Sequence, residues 1–125
     1  MIKKIEHVGI RVRDLQKSVQ FYSNVLGFML RGQMENKQTG LKIAFLKVGD
    51  SEIELLQFPD QGPDPLPTGV IAHIAFRVDA IEDVLARLMD EGVELRDHGP
   101  REVFGDTKIA FFYGPDGELL ELYEK

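Results

Sequence analysis

The chain says nearly the same thing twice, and this constrains its fold more than its composition does. HVGIRVRDLQKSVQFYSNVLGF begins at His7 and HIAFRVDAIEDVLARLMDEGV at His73, an offset of 66. At that offset Val12 falls on Val78, Leu15 on Ile81 and Val19 on Leu85, and IAFL from Ile43 falls on IAFF from Ile109. With one residue inserted, DSEIELL meets DGELLELY, and Glu54 falls on Glu121. A register that holds across most of both halves marks a duplicated structural unit. The expectation is a module over residues 1–58 and a second over 70–125, joined by a linker over 59–69 into one domain of 125 residues. The linker region, FPDQGPDPLPTG, holds four of the six prolines, so it is a stiff spacer that can enter neither a helix nor a central strand.

Each module reads as strand, helix, then two or three strands, an α+β pattern. In the first, residues 4–12 alternate as a strand and a helix is expected over 14–26. Asp14 suits its N-cap, Leu15, Val19, Tyr22 and Leu26 form its apolar stripe, and Gly27 suits its end. Strands follow over 28–34, 41–48 and 51–58. In the second module a strand runs from His73 to Val78 and a helix over 80–91, with Asp79 and Glu82 as a capping box and Gly92 as the stop. Strands are expected over 93–97, 107–113 and 118–123, with VGDSE and YGPDGE as the turns before the last strands.

The hydrophobic share of 43% and charged share of 29% describe a globular, soluble chain. A net charge of −6 and a pI near 5.0 argue against nucleic acid or an anionic membrane as partner. The absence of cysteine removes disulfides, thiol nucleophiles and thiolate metal sites together, and fits a reducing cytoplasm. MIKKIEHVGIRV is too charged for a signal peptide, and no apolar run approaches the roughly 20 residues of a membrane span.

The pleat then sorts the polar residues. If Val8, Ile10 and Val12 face the helix, then His7, Gly9 and Arg11 face away; likewise Ile74, Phe76 and Val78 oppose His73, Ala75 and Arg77. In the closing strands Ile53 and Leu55 oppose Glu54, and Leu120 and Leu122 oppose Glu121. The face turned from the helix thus carries a histidine, a carboxylate and an arginine in each module, with Gly9 and Ala75 leaving room. A single strand histidine is more often a hydrogen-bonded structural residue, and one glutamate can simply sit in water. The symmetric recurrence of two imidazoles and two carboxylates points instead to a divalent metal such as Ni²⁺, Co²⁺, Zn²⁺ or Mn²⁺. Four such ligands leave two octahedral positions for water or a chelating substrate. His98 reads as a loop residue, and Phe45, Phe58, Phe104, Phe111 and Tyr113 read as core before substrate wall.

HVGIRVRDLQKSVQFYSNVLGF, IELLQF, HIAFRV and GPDGELLELYE resemble the vicinal oxygen chelate superfamily, the glyoxalase and bleomycin-resistance fold, over nearly the whole chain. The resemblance implies paired βαβββ modules forming a curved, open mixed sheet. It also implies metal ligands at His7, Glu54, His73 and Glu121, a set similar to that of bacterial glyoxalase I, with nickel or cobalt favoured and zinc or manganese possible. The implied chemistry is proton transfer through a metal-bound enediolate by a lyase or isomerase, with Glu121 as first choice for the base and Glu54 as second. Arg11 matches a position used for a glutathione carboxylate. Phe58 stands where the lyases carry an asparagine, and with Arg11 and Arg77 it is a candidate substrate contact.

The expected substrate is a small 2-oxo thiol adduct, as for lactoylglutathione lyase. Methylmalonyl-CoA epimerase, acting on an acyl thioester, is the runner-up: TGLKIAFLKVGDSEIELLQF looks like it, while Ala72 stands where epimerases double the histidine. A metal-free binding protein of the drug-resistance type is the reading from another class, and it would need no ligand quartet. Dioxygenases that use two histidines and one glutamate on iron fit less well, given the fourth ligand Glu54; fosfomycin-inactivating thiol transferases add several basic residues to a similar shell, a reading that Arg11, Arg77 and Arg101 leave open without supporting. The resemblance further implies a cytoplasmic homodimer.

Overall fold

In the computed structural model, which describes residues 1, 3–67, 69, 71–103 and 105–125, the repeat in sequence is a repeat in structure. Two units, Met1–Leu66 and Pro67–Lys125, each carry the βαβββ order, so the α+β class and the paired modules are as expected. The first unit comprises β1 (Val8–Arg11), α1 (Leu15–Gln20) running into a π-helical turn (Phe21–Val25), β2 (Met29–Glu35), β3 (Lys42–Val48) and β4 (Ser51–Gln57). The second comprises β5 (Ile74–Arg77), α2 (Ile81–Asp90), β6 (Arg101–Val103), β7 (Thr107–Tyr113) and β8 (Leu119–Glu124). Each forms a four-stranded mixed sheet, ordered β1-β4-β3-β2 or β5-β8-β7-β6. The first and last strands of each unit pair in parallel and the rest antiparallel. A parallel pair needs a long crossover, which the helix and the two intervening strands supply.

Alternation along the strands does what the apolar pattern demands. Ile53 and Leu55 of β4 and Leu120 and Leu122 of β8 are buried, as are Ala44 and Leu46 of β3 and Ala110 and Phe112 of β7. Leu15 and Val19 of α1, with Tyr22 just beyond it, close one core; Ile81, Leu85 and Leu88 of α2 close the other. Tyr22 packs edge-on against Phe21 and tilted against Phe28. Each fully buried aliphatic side chain contributes about 1.5–3 kcal/mol.

The helix starts are held from the last strand. Asp14 caps α1 as expected, accepting from the Lys17 N–H at 3.2 Å. In addition, Gln57 Oε1 at the end of β4 accepts the Leu15 N–H at 2.6 Å. The duplicate position, Glu124, does the same for the Ile81 N–H at 2.9 Å. The capping box expected of Asp79 and Glu82 does not form: the N-cap is Ala80, without a side-chain bond, because Glu124 fills that role and Glu82 pairs with Lys108 at 2.8 Å.

Other boundaries also shift. β1 is shorter than residues 4–12, because its ladder with β4 begins at Val8 opposite Ile53. The helix expected over 14–26 widens at Phe21, where the Leu26 N–H reaches back to the Phe21 carbonyl at 3.0 Å. The widening buries both Phe21 and Tyr22 and leaves Leu26 only half-buried. Residues 93–97 form no strand beyond a single bridge, Leu95 to Phe112, and the pairing passes instead to β6, which the apolar pattern does not reveal. Gly49 (φ +57°) turns β3 into β4, and Gly117 (φ +82°) turns β7 into β8; both are backbone states that favour glycine. Phe104 lies outside the described residues, as do Thr68 and Val70 at the expected end of the linker.

Candidate metal centre

In the first unit the chain just ahead of β1 delivers His7 to Glu54, the central residue of β4. Their donor atoms, His7 Nε2 and Glu54 Oε2, lie 2.9 Å apart. Glu54 sits on the face turned from the helix, its Cα flanked by Gly9 on one side and Phe45 on the other. A Cβ on Gly9 would come within 3.2 Å of Leu56 Cδ1, so the small residue there relieves crowding beside the carboxylate.

The second unit repeats the arrangement. His73 Nε2 lies 3.1 Å from Glu121 Oε1, and Glu121 is flanked by Ala75 and Phe111. The glutamates are the sheltered partners, with side chains 18% and 9% exposed for Glu54 and Glu121, while the imidazoles reach toward water at 43% and 39%. Each unit thus brings together one nitrogen and one oxygen donor, and no third His, Asp or Glu among the described residues of the same unit joins them.

These separations pass a simple test. Two ligands bound at right angles to one divalent ion, each at about 2.0–2.2 Å, stand about 3 Å apart. Both pairs have that spacing, and both have the mixed nitrogen and oxygen chemistry of a borderline divalent metal rather than of calcium.

A phenylalanine stands opposite the glutamate in each unit, Phe45 beside Glu54 and Phe111 beside Glu121. The His73 ring meets Phe111 edge-on with centroids 5.3 Å apart. The Arg96 and Arg101 guanidiniums lie 5.4 and 5.9 Å from the centre of the same ring. Asp97 fixes this assembly: its Oδ2 accepts the Phe111 N–H at 2.8 Å and Arg101 Nη2 at 3.3 Å. In the first unit Arg31 lies 4.6 Å over Phe45 and pairs with Glu52 at 2.6 Å. Phe45, Phe111 and Tyr113 are therefore half-buried residues on the glutamate-bearing faces, not core as expected. The roles of Arg31 and Arg96 went unseen in the sequence, although the IAFL and IAFF alignment already placed Phe45 on Phe111.

Arg11 and Phe58 meet each other. Arg11 lies 5.2 Å from the centre of the exposed Phe58 ring, and its Nη2 donates to the Asp60 carbonyl at 2.7 Å. Arg11 pairs with Leu56, one pleat along the sheet from Gly9 and Glu54 on the same face. Arg77 is exposed, with its Cα opposite Tyr123, one pleat from Ala75 and Glu121. His98 is an exposed loop residue. No helix among the described residues is long and apolar enough to cross a membrane.

The model of the Glyoxalase/Bleomycin resistance protein/Dioxygenase superfamily matches residues 4–122. The chain is 35% identical to a lactoylglutathione lyase of Salmonella typhimurium over 97% of its own length and 92% of the relative's. It is 31% identical to a mitochondrial methylmalonyl-CoA epimerase of Dictyostelium discoideum, over 99% of its own length and 80% of the relative's. Among solved structures, a glyoxalase family protein from Enterococcus faecalis superposes with a TM-score of 0.83 at 34% identity, covering 98% of both chains.

Proposed function

Because the chain belongs to the Glyoxalase/Bleomycin resistance protein/Dioxygenase superfamily, we propose that it is a divalent-metal-dependent enzyme moving a proton on a carbon next to a carbonyl. The reading is lactoylglutathione lyase-like, with a small 2-oxo thiol adduct as substrate. The observation that carries it is the pair of donors repeated in each unit at 2.9 and 3.1 Å. His7, Glu54, His73 and Glu121 would together hold the ion, with nickel or cobalt best suited. When bound, the ion supplies a fixed positive charge that offsets the negative charge developing on the substrate oxygen, which is what makes so weak a carbon acid reachable at neutral pH.

The chain's own residues do the rest. Glu121, the more sheltered carboxylate, takes the proton from carbon and returns it; Glu54 is the second choice. Phe111 walls the Glu121 side against water, which strengthens every charge interaction there. Arg11, Arg77 and Phe58 line the substrate's approach. In this reading the protein works in the cytoplasm as a homodimer.

A second reading has its own support. Arg11 is already engaged by the Asp60 carbonyl and the Phe58 ring, so it is less available for a glutathione carboxylate, and this favours an acyl thioester substrate with epimerase chemistry. Protein loaded with Ni²⁺, Co²⁺ or Zn²⁺ and incubated in deuterated water separates the two. Turnover of the methylglyoxal–glutathione hemithioacetal supports the lyase reading, and deuterium entering methylmalonyl-CoA alone supports the epimerase. A protein that takes up no stoichiometric ion and turns over neither is a binder, and both enzyme readings fall.

A further inference from the structure

The first unit carries a cavity of about 420 Å³ that the chemistry above does not use. It lies where the turn after β1 and the start of α1 meet the start of β3 and the end of β4. Arg13 and Lys42 bring positive charge to its lining, and Gln16, Gln57 and Gln61 bring amides. The one carboxylate in the lining, Asp14, is committed to the Lys17 N–H. Gln57 spends its oxygen on the Leu15 N–H, which leaves its amide nitrogen as a donor. Arg13 Nη1 is 3.3 Å from Asp64, a side chain that is itself 74% exposed.

The duplicate positions show what this lining lacks. Lys42 corresponds to Lys108 and Gln16 to Glu82 at the offset of 66, and Gln57 corresponds to Glu124 once the inserted residue is counted. In the second unit Lys108 Nζ is 2.8 Å from Glu82 Oε1, and Glu124 adds its negative charge nearby. That lysine has its anions built in. In the first unit both carboxylates are replaced by amides of the same shape. Among the described residues no ion pair engages Lys42.

We propose that this cavity binds a small organic oxyanion, a carboxylate or phosphate monoester, that takes the place of the two missing side-chain carboxylates. Lys42, Arg13 and the Gln57 amide nitrogen hold the anion. The volume falls in the range of about 300–1,000 Å³ usual for small-molecule pockets, more than a bare inorganic ion needs.

The test is a titration of the ¹⁵N-labelled full chain with glycerol 3-phosphate, succinate and, as a control, sodium chloride at matched ionic strength. The expected result is saturable shifts of the Leu15, Gln16, Lys42 and Gln57 amides with one of the two organic anions, while Ile81, Glu82, Lys108 and Glu124 stay still. Q16E/Q57E, which copies the second unit, should weaken binding about tenfold or more. It should still fold, since Glu124 shows that a glutamate caps the helix equally well; a melting curve checks this, and K42Q removes the cation independently. Shifts that sodium chloride reproduces, that never saturate, or that persist unchanged in folded Q16E/Q57E and K42Q would overturn the proposal.

Discussion

Glu121→Gln is the substitution that bears most directly on the proposed chemistry. The glutamine keeps the heavy-atom shape of the glutamate and a carbonyl oxygen that can still face His73, 3.1 Å away in the native pair. With the side chain only 9% exposed, shape matters, and because shape and one acceptor survive, the fold should lose no more than about 1 kcal/mol. The chemistry should suffer far more. An amide cannot take a proton from carbon, and loss of a positioned general base costs about 10²–10⁴-fold in rate, or roughly 2.7–5.4 kcal/mol of barrier. Three measurements on one preparation are needed: melting temperature, metal stoichiometry and turnover of whichever thioester or hemithioacetal the native protein accepts. The expected pattern is near-native melting with turnover reduced at least a hundredfold, beyond what any fall in metal content explains. A metal-loaded, folded Glu121→Gln protein with full turnover refutes the assignment; a larger loss in Glu54→Gln moves the base to the first unit.

Three further outcomes concern the scaffold. Gln57→Ala removes the oxygen that receives the Leu15 N–H and should cost about 1 kcal/mol by chemical denaturation, and Glu124→Ala should cost a similar amount through Ile81. Leu55→Ala empties a fully buried position in the first core and should cost about 2–5 kcal/mol, read from the same denaturation curves. The Lys108 hydrogen bond holds the Glu82 carboxyl below its ordinary pKa, and Glu82 in turn holds the Lys108 ammonium above its own. The small stabilisation from this pair is therefore present between the two ordinary values, lost as pH falls through the lowered Glu82 pKa and lost as pH rises through the raised Lys108 pKa. Melting of native protein against Glu82→Gln should converge at both extremes, and a difference that persists at acid pH would show that the pair is not its source.

What could be read from the sequence was whatever the repeat expressed as alternation. Ile53 and Leu55, and Leu120 and Leu122, announce which face is buried, and this alone sets Glu54 and Glu121 on the opposite face. The unread parts depend on partners distant in the chain. Asp79 and Glu82 have the right local spacing for a capping box, yet Glu124 is already at the helix start and Lys108 draws Glu82 away. The residues over 93–97 look like a strand, but they hold two N–H groups on the Phe111 carbonyl, from Arg96 and Asp97, and so curl around that ring instead of extending a ladder. Arg11 reads as a free cation on an open face, and only the fold reveals the Asp60 carbonyl that occupies it.

Comparison of the two copies also bears on which carboxylate would carry out the proposed chemistry. The histidine, the glutamate and the flanking phenylalanine recur with nearly the same spacing, so the two units are alike where a ligand pair is needed. They differ in what surrounds the pair. Beside Glu54, Arg31 covers Phe45 but gives its charge to Glu52 at 2.6 Å. Beside Glu121, the imidazole leans edge-on against Phe111, and Asp97 pins that ring's backbone from a separate segment. A ring fixed from several directions excludes water more reliably than one covered by a single half-exposed arginine, and a base in a drier place loses less of its strength to solvation. Glu121 is also the more sheltered of the two carboxylates, 9% against 18% exposed. Asp97→Ala should accordingly loosen Phe111, lower turnover through kcat and leave the His7–Glu54 pair untouched. If kcat is unchanged in the folded variant, the asymmetry between the units has no catalytic meaning.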